Sequence, residues 1–456
     1  MHRTMKNMEV ETISSQFIKP SCPTIHPKSY NLSVLDQFVP PAYIPMVLFY
    51  SGDQSTQDIT HQRMKQLKES LSQVLTLFYP FAGRVKDKIT IDCNDEGAHY
   101  TEAKVSCTLC EFFNQPNLPS LIHKLLPNQA LNEVSTDGYT TMAKVTCFGC
   151  GGMVIGTLVS HMVVDGVGAS FFLNNWGSNS RIGDFQHGFE VPNFDTPFPR
   201  NNACPQDTTA ASFMDKFLKE VRLAKRRFLF DAEAISRLKA HGSNLTVKNP
   251  TRVEVVTSLL CKCVAKACKA NTGLERPTLV SHAVNMRRRA SPNFSNSCMG
   301  NFSWMATALV SENDELPELV SKFREAVNSV NSNLVKSFQG KEGSAKFCET
   351  SKRVIEKASE GAIMSANGVN YLNFTSWCNF GLYDVDFGWG KPMWVSCMAE
   401  CQDLVILMDT PSGKGTEVWV HLNEDKMKIL QQDNELLMFA TLDPNPLQLK
   451  DYVSHA

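Results

Sequence analysis

The chain has almost no net charge: 456 residues carry 45 Lys+Arg against 46 Asp+Glu, a formal balance of -1. No stretch reaches the basic density of a nucleic-acid or membrane-surface binder. A long apolar run is also missing. The longest near-apolar stretch, 151–164, is interrupted by Ser160 and His161 and is too short to span a bilayer. The opening MHRTMKNMEVETISSQF lacks the apolar core of a secretory signal. These absences predict a cytoplasmic protein, monomeric by default, that works on small molecules, with neither nucleic acid nor membrane among its partners.

Several catalytic signatures are absent too. The chain holds no GxxxxGK[ST], GxGxxG, GxSxG or HExxH pattern, which disfavours nucleotide hydrolases, Rossmann enzymes, serine hydrolases and zincins. Cysteine is present, but fifteen scattered residues, an odd number in a long chain, read as reduced core positions rather than a disulfide framework. Cys107 with Cys110 and Cys147 with Cys150 form two CxxC pairs. The second lies in an FGCGG turn and the first in an apolar, strand-like VSCTLCEFF, so no metal site is expected.

A chain of this length exceeds what one core usually supports, so two domains of about 200 residues each are expected. The clearest composition shift, residues 191–212, replaces apolar patterning by proline, asparagine and small polar residues. The expected division is an N-terminal domain 1–200, a linker 201–225 and a C-terminal domain 226–456. Met64, Leu67, Leu71, Val74, Leu75 and Phe78 fall at helical spacing over 62–78. Residues 139–148 and 153–159 flank Gly149, Gly151 and Gly152 and predict two strands, the second buried. Further helices are predicted over 168–176, 254–268 and 319–334, and strands over 404–408 and 416–422.

His161 therefore sits where a buried strand ends and a helix begins, in the sequence HMVVDG, with Asp165 four positions on and Gly166 permitting the turn. No serine or cysteine nucleophile stands beside it. A lone imidazole base suits proton removal from a hydroxyl or amine attacking an activated acyl group, an effect of about 10²–10⁴-fold. A thioester needs no covalent relay, so holding donor and acceptor together suffices. Asp165 can orient the imidazole or turn away and anchor the corner through an arginine. Its fixed spacing favours the second role, and a satisfied core pair is the bland alternative.

Farther on, 383–394 reads YDVDFGWGKPMW, a rigid aromatic loop by its glycines. The indole N–H of Trp389 either meets the oxyanion of acyl transfer or is purely architectural. His282 reads as a packed residue. Arg287, Arg288 and Arg289 form either an anion patch or, for two of the three, a solvated charge run.

Together with NLSVLDQF at 31–38, TLFYPFAGR at 76–84, IDCNDEG at 91–97, FGCGG at 148–152, TRVEVVTSL at 251–259, AVNMRRR at 283–289, MGN at 299–301 and SWCNFGLYDVDFGWGKP at 376–392, these motifs resemble the plant BAHD acyltransferases. The likeness covers nearly the whole chain and is strongest to the family's alkaloid O-acetyltransferases. It implies an α/β fold of two similar domains, each a mixed β-sheet flanked by helices as in chloramphenicol acetyltransferase, with an active-site channel between them. Part of the segment after Asp386 is expected to pack on the first domain.

The resemblance also implies acetyl-CoA, or another acyl-CoA, as co-substrate, no permanently bound cofactor, and the hydroxyl of an alkaloid as acceptor. It makes His161 the general base, with Asp165 structural and paired with Arg287 beside Gly166. It assigns Asp386, Gly388 and Gly390 to a loop near the coenzyme A entrance, and Thr251, Arg252, Ser376 and Trp377 to coenzyme A. N-acyl transfer, thioester hydrolysis and an idle ligand-binding homologue are the alternatives on the same scaffold.

Overall fold

In a computed structural model that describes residues 8–52, 57–129, 131, 134–182, 190–200, 205, 209, 222–364 and 368–447, the apolar run after Gly152 forms the strand Met153–Ser160, buried along its whole length. It pairs antiparallel with Thr141–Phe148 on one side and with Tyr43–Tyr50 on the other. Around them grows a sheet in the order Glu11–Ile18, Ala98–Val105, Thr141–Phe148, Met153–Ser160, Tyr43–Tyr50, Trp394–Ser396. Ala98–Val105 runs parallel to Thr141–Phe148, which makes the sheet mixed. Its last strand arrives from the far end of the chain, with Trp394 opposite Phe49.

The second half builds another mixed sheet in the order Ser303–Val310, Thr278–Asn285, Asn370–Ser376, Leu404–Asp409, Thr416–Asn423, Leu223–Phe230, Thr441–Leu442. Both of its faces are covered. Along Leu404–Asp409, Leu404, Ile406 and Met408 join the core of the first half, whereas Val405 and Leu407 join that of the second. Burial on both sides explains why such strands read as continuous apolar runs rather than alternating ones. The outer face carries the helix Arg252–Thr272, opened by a capping box between Thr251 and Glu254 and closed by Gly273 at φ 68°.

The halves are stapled by a buried cluster. Arg227 meets Glu417 at 3.1 Å, the Trp394 indole donates to the same carboxylate at 3.2 Å, and the guanidinium lies 4.7 Å from the Trp394 ring centre. Glu417 and Arg227 belong to the second sheet and Trp394 to the first.

Some element boundaries differ from those predicted. The 168–176 helix extends over Gly166–Ile182, because Asp165 caps it by accepting from the Gly168 amide at 3.0 Å. The 319–334 pattern is two helices, Leu316–Ser329 and Ser332–Ser337, since the Asn331 side chain accepts from the Asn333 and Leu334 amides and starts a new turn. VSCTLCEFF is a strand end followed by the helix Leu109–Phe113, nucleated by a Thr108–Glu111 capping box. The expected linker 201–225 lies largely outside the described residues, and its last positions already belong to the strand Leu223–Phe230. Residues 193–199 cross to the second half, where the Asn193 amide donates to Ser297 and that of Gly340 to Pro197. Among the described residues no helix is long and apolar enough to cross a membrane.

Candidate active site

The strand Met153–Ser160 delivers His161 to a turn fixed at three points. The His161 amide donates to Ala42 at 2.8 Å, the Val163 amide returns to Ser160 at 3.0 Å, and the His161 carbonyl accepts from the Asn301 side chain at 2.8 Å. The ring itself is half-buried, with Nδ1 2.9 Å from Asn301 Oδ1. Asn301 cannot turn over. Its Nδ2 donates to Asp36 at 3.0 Å and its backbone amide to the same oxygen at 2.7 Å. An amide oxygen only accepts, so Nδ1 carries the proton and Nε2 is left as the basic nitrogen.

Asp36 completes the relay from the other side. It takes hydrogen bonds from the Ser33 amide at 2.8 Å and hydroxyl at 2.7 Å, the capping box of the short helix Val34–Phe38. Gly300, at φ 122°, makes the turn that sets Asn301 between the two. Burial pushes the Asp36 carboxyl above its ordinary value, against the hydrogen bonds from Ser33 and Asn301. Burial likewise holds His161 below the usual imidazole value, opposed by its hydrogen bonds and by the charge of Asp165.

Asp165 turns away from the imidazole. Its two oxygens meet Arg287 Nη1 at 2.6 Å and Nη2 at 3.2 Å, and they also accept from the amides of Gly168 and Phe302, each at 3.0 Å. Burial pushes this carboxyl up, but Arg287 and the hydrogen bonds outweigh it and keep the group ionised below its ordinary value. Arg287 is wholly buried, donates onward to the carbonyls of Cys298 and Gly300, and lies 4.5 Å from the Phe302 ring centre. A buried ion pair braced by several hydrogen bonds in this way fixes the turn between the two halves.

Two adjoining cavities meet beside this corner. His161 lines one, with Phe38, Ile44, Trp304, Leu404 and Ile406 among its apolar walls. The other, of about 860 Å³, lies against the second sheet's helices and is lined by Thr251, Arg288, Arg289 and Arg324. Val167, Ala283, Asn285, Ser376 and Phe380 line both and form the junction. Gly166 permits that junction, because a Cβ there would stand 2.7 Å from the Phe380 ring.

The expected site residues divide accordingly. Ser376 stands at the junction, Thr251 lines the large cavity, and Trp377 lines the cavity of His161 with its Nε1 3.6 Å from where a Gly166 Cβ would sit. Arg252 lines neither cavity: it ion-pairs with Asp409 and donates to Gly413 at 2.7 Å and Gly415 at 3.2 Å, which makes it a brace. Arg288 is exposed and Arg289 half-buried, whereas Arg287 is internal, so the triple arginine is not one solvated run.

The DFGWG loop is held by its own aspartate. Neither Asp386, Gly388, Trp389 nor Gly390 lines either cavity. Asp386 accepts from the Gly388 amide at 2.8 Å and the Gly390 amide at 3.0 Å, curling the loop through two positive φ angles. The Trp389 ring is thereby stacked on Phe387 at 5.7 Å and covered by Arg63 at 5.3 Å. The Phe387 carbonyl accepts from Ser180 and Gln66, tying the helix after the histidine corner to Gln57–Leu77. Of the two readings of Trp389, this packing favours the architectural one, and the loop clips the two helices together.

Sequence reasoning left Asn301 and Asp36 without a role, although both stand in the quoted MGN and NLSVLDQF segments. Among the described residues no cluster of three His, Cys, Asp or Glu could hold a metal ion.

A profile of the Transferase family matches residues 8–437. The chain is similar to the limonoid 7-O-acetyltransferase of Citrus sinensis, 43% identical over 96% of this chain and 100% of that protein. It is also similar to the stemmadenine O-acetyltransferase of Catharanthus roseus, 32% identical over 93% of this chain and 97% of that one. Among solved structures, the crystal structure of vinorine synthase superposes with a TM-score of 0.78 at 30% identity, covering 94% of this chain and 98% of that one.

Proposed function

We propose, for a chain that belongs to the BAHD transferase family and is an acyl-CoA-dependent acyltransferase of plant specialised metabolism, that it moves acetyl from acetyl-CoA directly onto a hydroxyl, with His161 as the base. The observation that carries this reading is the His161–Asn301 contact of 2.9 Å, which leaves Nε2 basic in a ring that lines a cavity.

The donor takes the larger cavity, where Arg288 and Arg289 can face its phosphates. The acceptor takes the apolar cavity beside His161. As the acceptor oxygen attacks the thioester carbonyl, Nε2 removes its proton, so that the new C–O bond forms without a free alkoxide. The tetrahedral oxyanion receives a hydrogen bond from the Trp377 indole. Collapse breaks the C–S bond, and the imidazolium returns the proton to the departing thiolate. Ester and free coenzyme A leave with the histidine neutral again.

For the acceptor, a neutral limonoid-like alcohol fits better than the alkaloid expected from the sequence. Among the described residues lining the acceptor cavity, the sole carboxylate is Asp165, already committed to Arg287. A protonated alkaloid amine would lie there without a counter-charge. The greater identity to the Citrus sinensis protein supports the same choice.

The test is release of coenzyme A from acetyl-CoA by purified protein, with limonoid alcohols in one series and alkaloid alcohols in another. Release that depends on a limonoid alcohol and is lost in His161→Ala is expected. Undiminished transfer by that variant would overturn the mechanism, and release without any acceptor would make the protein a thioesterase.

A further inference from the structure

Two buried side chains among those lining the large cavity have polar atoms without a hydrogen-bond partner among the described residues: Thr257 Oγ1 and His282 Nε2. Of all such atoms in the described residues, these alone belong to side chains lining either of the two cavities. Thr257 is 1% exposed and lies on the helix Arg252–Thr272, whereas His282 is 8% exposed and lies on the strand Thr278–Asn285. An unmade hydrogen bond at a buried group costs about 1–3 kcal/mol, so a native protein keeps few of them without reason.

Their chemistry is complementary. His282 Nδ1 stands 3.0 Å from the Ala283 carbonyl, which can only accept, so Nδ1 bears the hydrogen and Nε2 offers a lone pair alone. Its ring is held parallel to that of Phe374, 6.2 Å away on the neighbouring strand. The Thr257 hydroxyl has a hydrogen to give. One side chain thus holds an acceptor and the other a donor, the two groups that a secondary amide requires. A coenzyme A thioester carries two such amides in its pantetheine arm, between the phosphates and the sulfur.

We propose that Thr257 and His282 form the amide subsite for the donor's pantetheine arm, His282 Nε2 accepting an amide N–H and the Thr257 hydroxyl donating to an amide carbonyl. The inference rests on the donor occupying the larger cavity, as in the function proposed above. It makes the two residues positioning groups that pull the arm along the helix side of the sheet and set how far the sulfur reaches toward Ser376 and Phe380.

Calorimetric titration of the full chain tests it with two probes: coenzyme A, and adenosine 3′,5′-bisphosphate, which keeps phosphates but has no pantetheine. Thr257→Val and His282→Leu are each expected to weaken coenzyme A by about five- to tenfold, the effect of one net hydrogen bond, and to leave the bisphosphate unchanged. Melting temperatures should hold or rise, because each variant removes an unsatisfied group, and His282→Gln, which retains an acceptor, should restore most of the affinity. Should His282→Leu fail to fold, Thr257→Val decides alone. Unchanged coenzyme A binding by the variants overturns the subsite while leaving the proposed function standing. Equal weakening of both probes also overturns it, since the nook would then act through the shape of the cavity. A wild-type protein that binds no coenzyme A overturns the donor assignment itself.

Discussion

His161 and Asn301 hold each other twice: Nδ1 of the ring faces the amide oxygen at 2.9 Å, while the amide nitrogen donates to the histidine's own carbonyl at 2.8 Å. One side chain thus sets both the tautomer of the base and the turn that carries it. Replacing it by alanine releases the ring and strands Asp36. Asn301→Ala is expected to lower kcat by about 10- to 100-fold, part of the general-base effect, with coenzyme A affinity preserved. Steady-state kinetics beside a coenzyme A titration check it.

The acid limb of activity follows from the direction of the His161 shift. Protonated imidazole cannot act as base, and burial holds this group below the usual value of about 6.5. Neutral His161 therefore persists to lower pH than a free histidine would. The acid limb of kcat/KM should fall below about pH 6.5. A limb centred above neutrality would contradict the assignment.

Stability should also decline on the acid side, through a different histidine. His421 is fully buried in Thr416–Asn423, and burial, aided by the nearby Lys225 charge, pushes its pKa down to about 3. Above about pH 6.5 it is neutral in both states and contributes nothing. Between about pH 6.5 and about 3 the unfolded chain binds a proton that the native fold refuses, so stability falls by about 1.4 kcal/mol per pH unit. Urea unfolding across this range should show a shallower decline in His421→Phe.

Breaking the Asp165–Arg287 pair leaves one charge buried alone. Arg287→Met is expected to destabilise the fold by about 3–5 kcal/mol. The double variant with Asp165→Asn should be less destabilised than the two single changes summed, because no orphan charge remains. Denaturant titration of the four proteins measures the coupling.

Trp389 inside the DFGWG segment and Trp377 upstream of it should behave oppositely. Trp377→Phe removes the indole N–H from the His161 cavity, and about a 10- to 100-fold loss of kcat is expected. Trp389→Phe should leave kcat nearly intact and lower the melting temperature, since that ring packs on Phe387 under Arg63. Kinetics and thermal unfolding of both variants separate the roles.

How much of this was legible in the sequence depends on the separation of the parts. The HMVVDG corner is local, so strand end, turn and helix start could all be read from six consecutive residues, and the mixed-sheet halves followed from the resemblance. The Asn301 relay was not legible. Its members stand at 36, 161 and 301, and only the folded register of three separate segments brings them together. Trp389 stayed open between two roles for a related reason: glycines around an indole announce a rigid loop but not which way the loop faces, and here Asp386 curls the loop by gathering two amides. Periodicity likewise ran past Asn331 because the apolar spacing continues into Leu334 and Val335, whereas the break is made by a side chain capping the next turn.

The strand Trp394–Ser396 completes the first sheet, yet it is encoded near the end of the chain. During synthesis the amino-terminal half therefore waits, one edge open beside Tyr43–Tyr50, until the ribosome has passed residue 396. For the same reason the two halves would stay together even if the chain between their sheets were cut, since the later half supplies a strand to the earlier half's sheet.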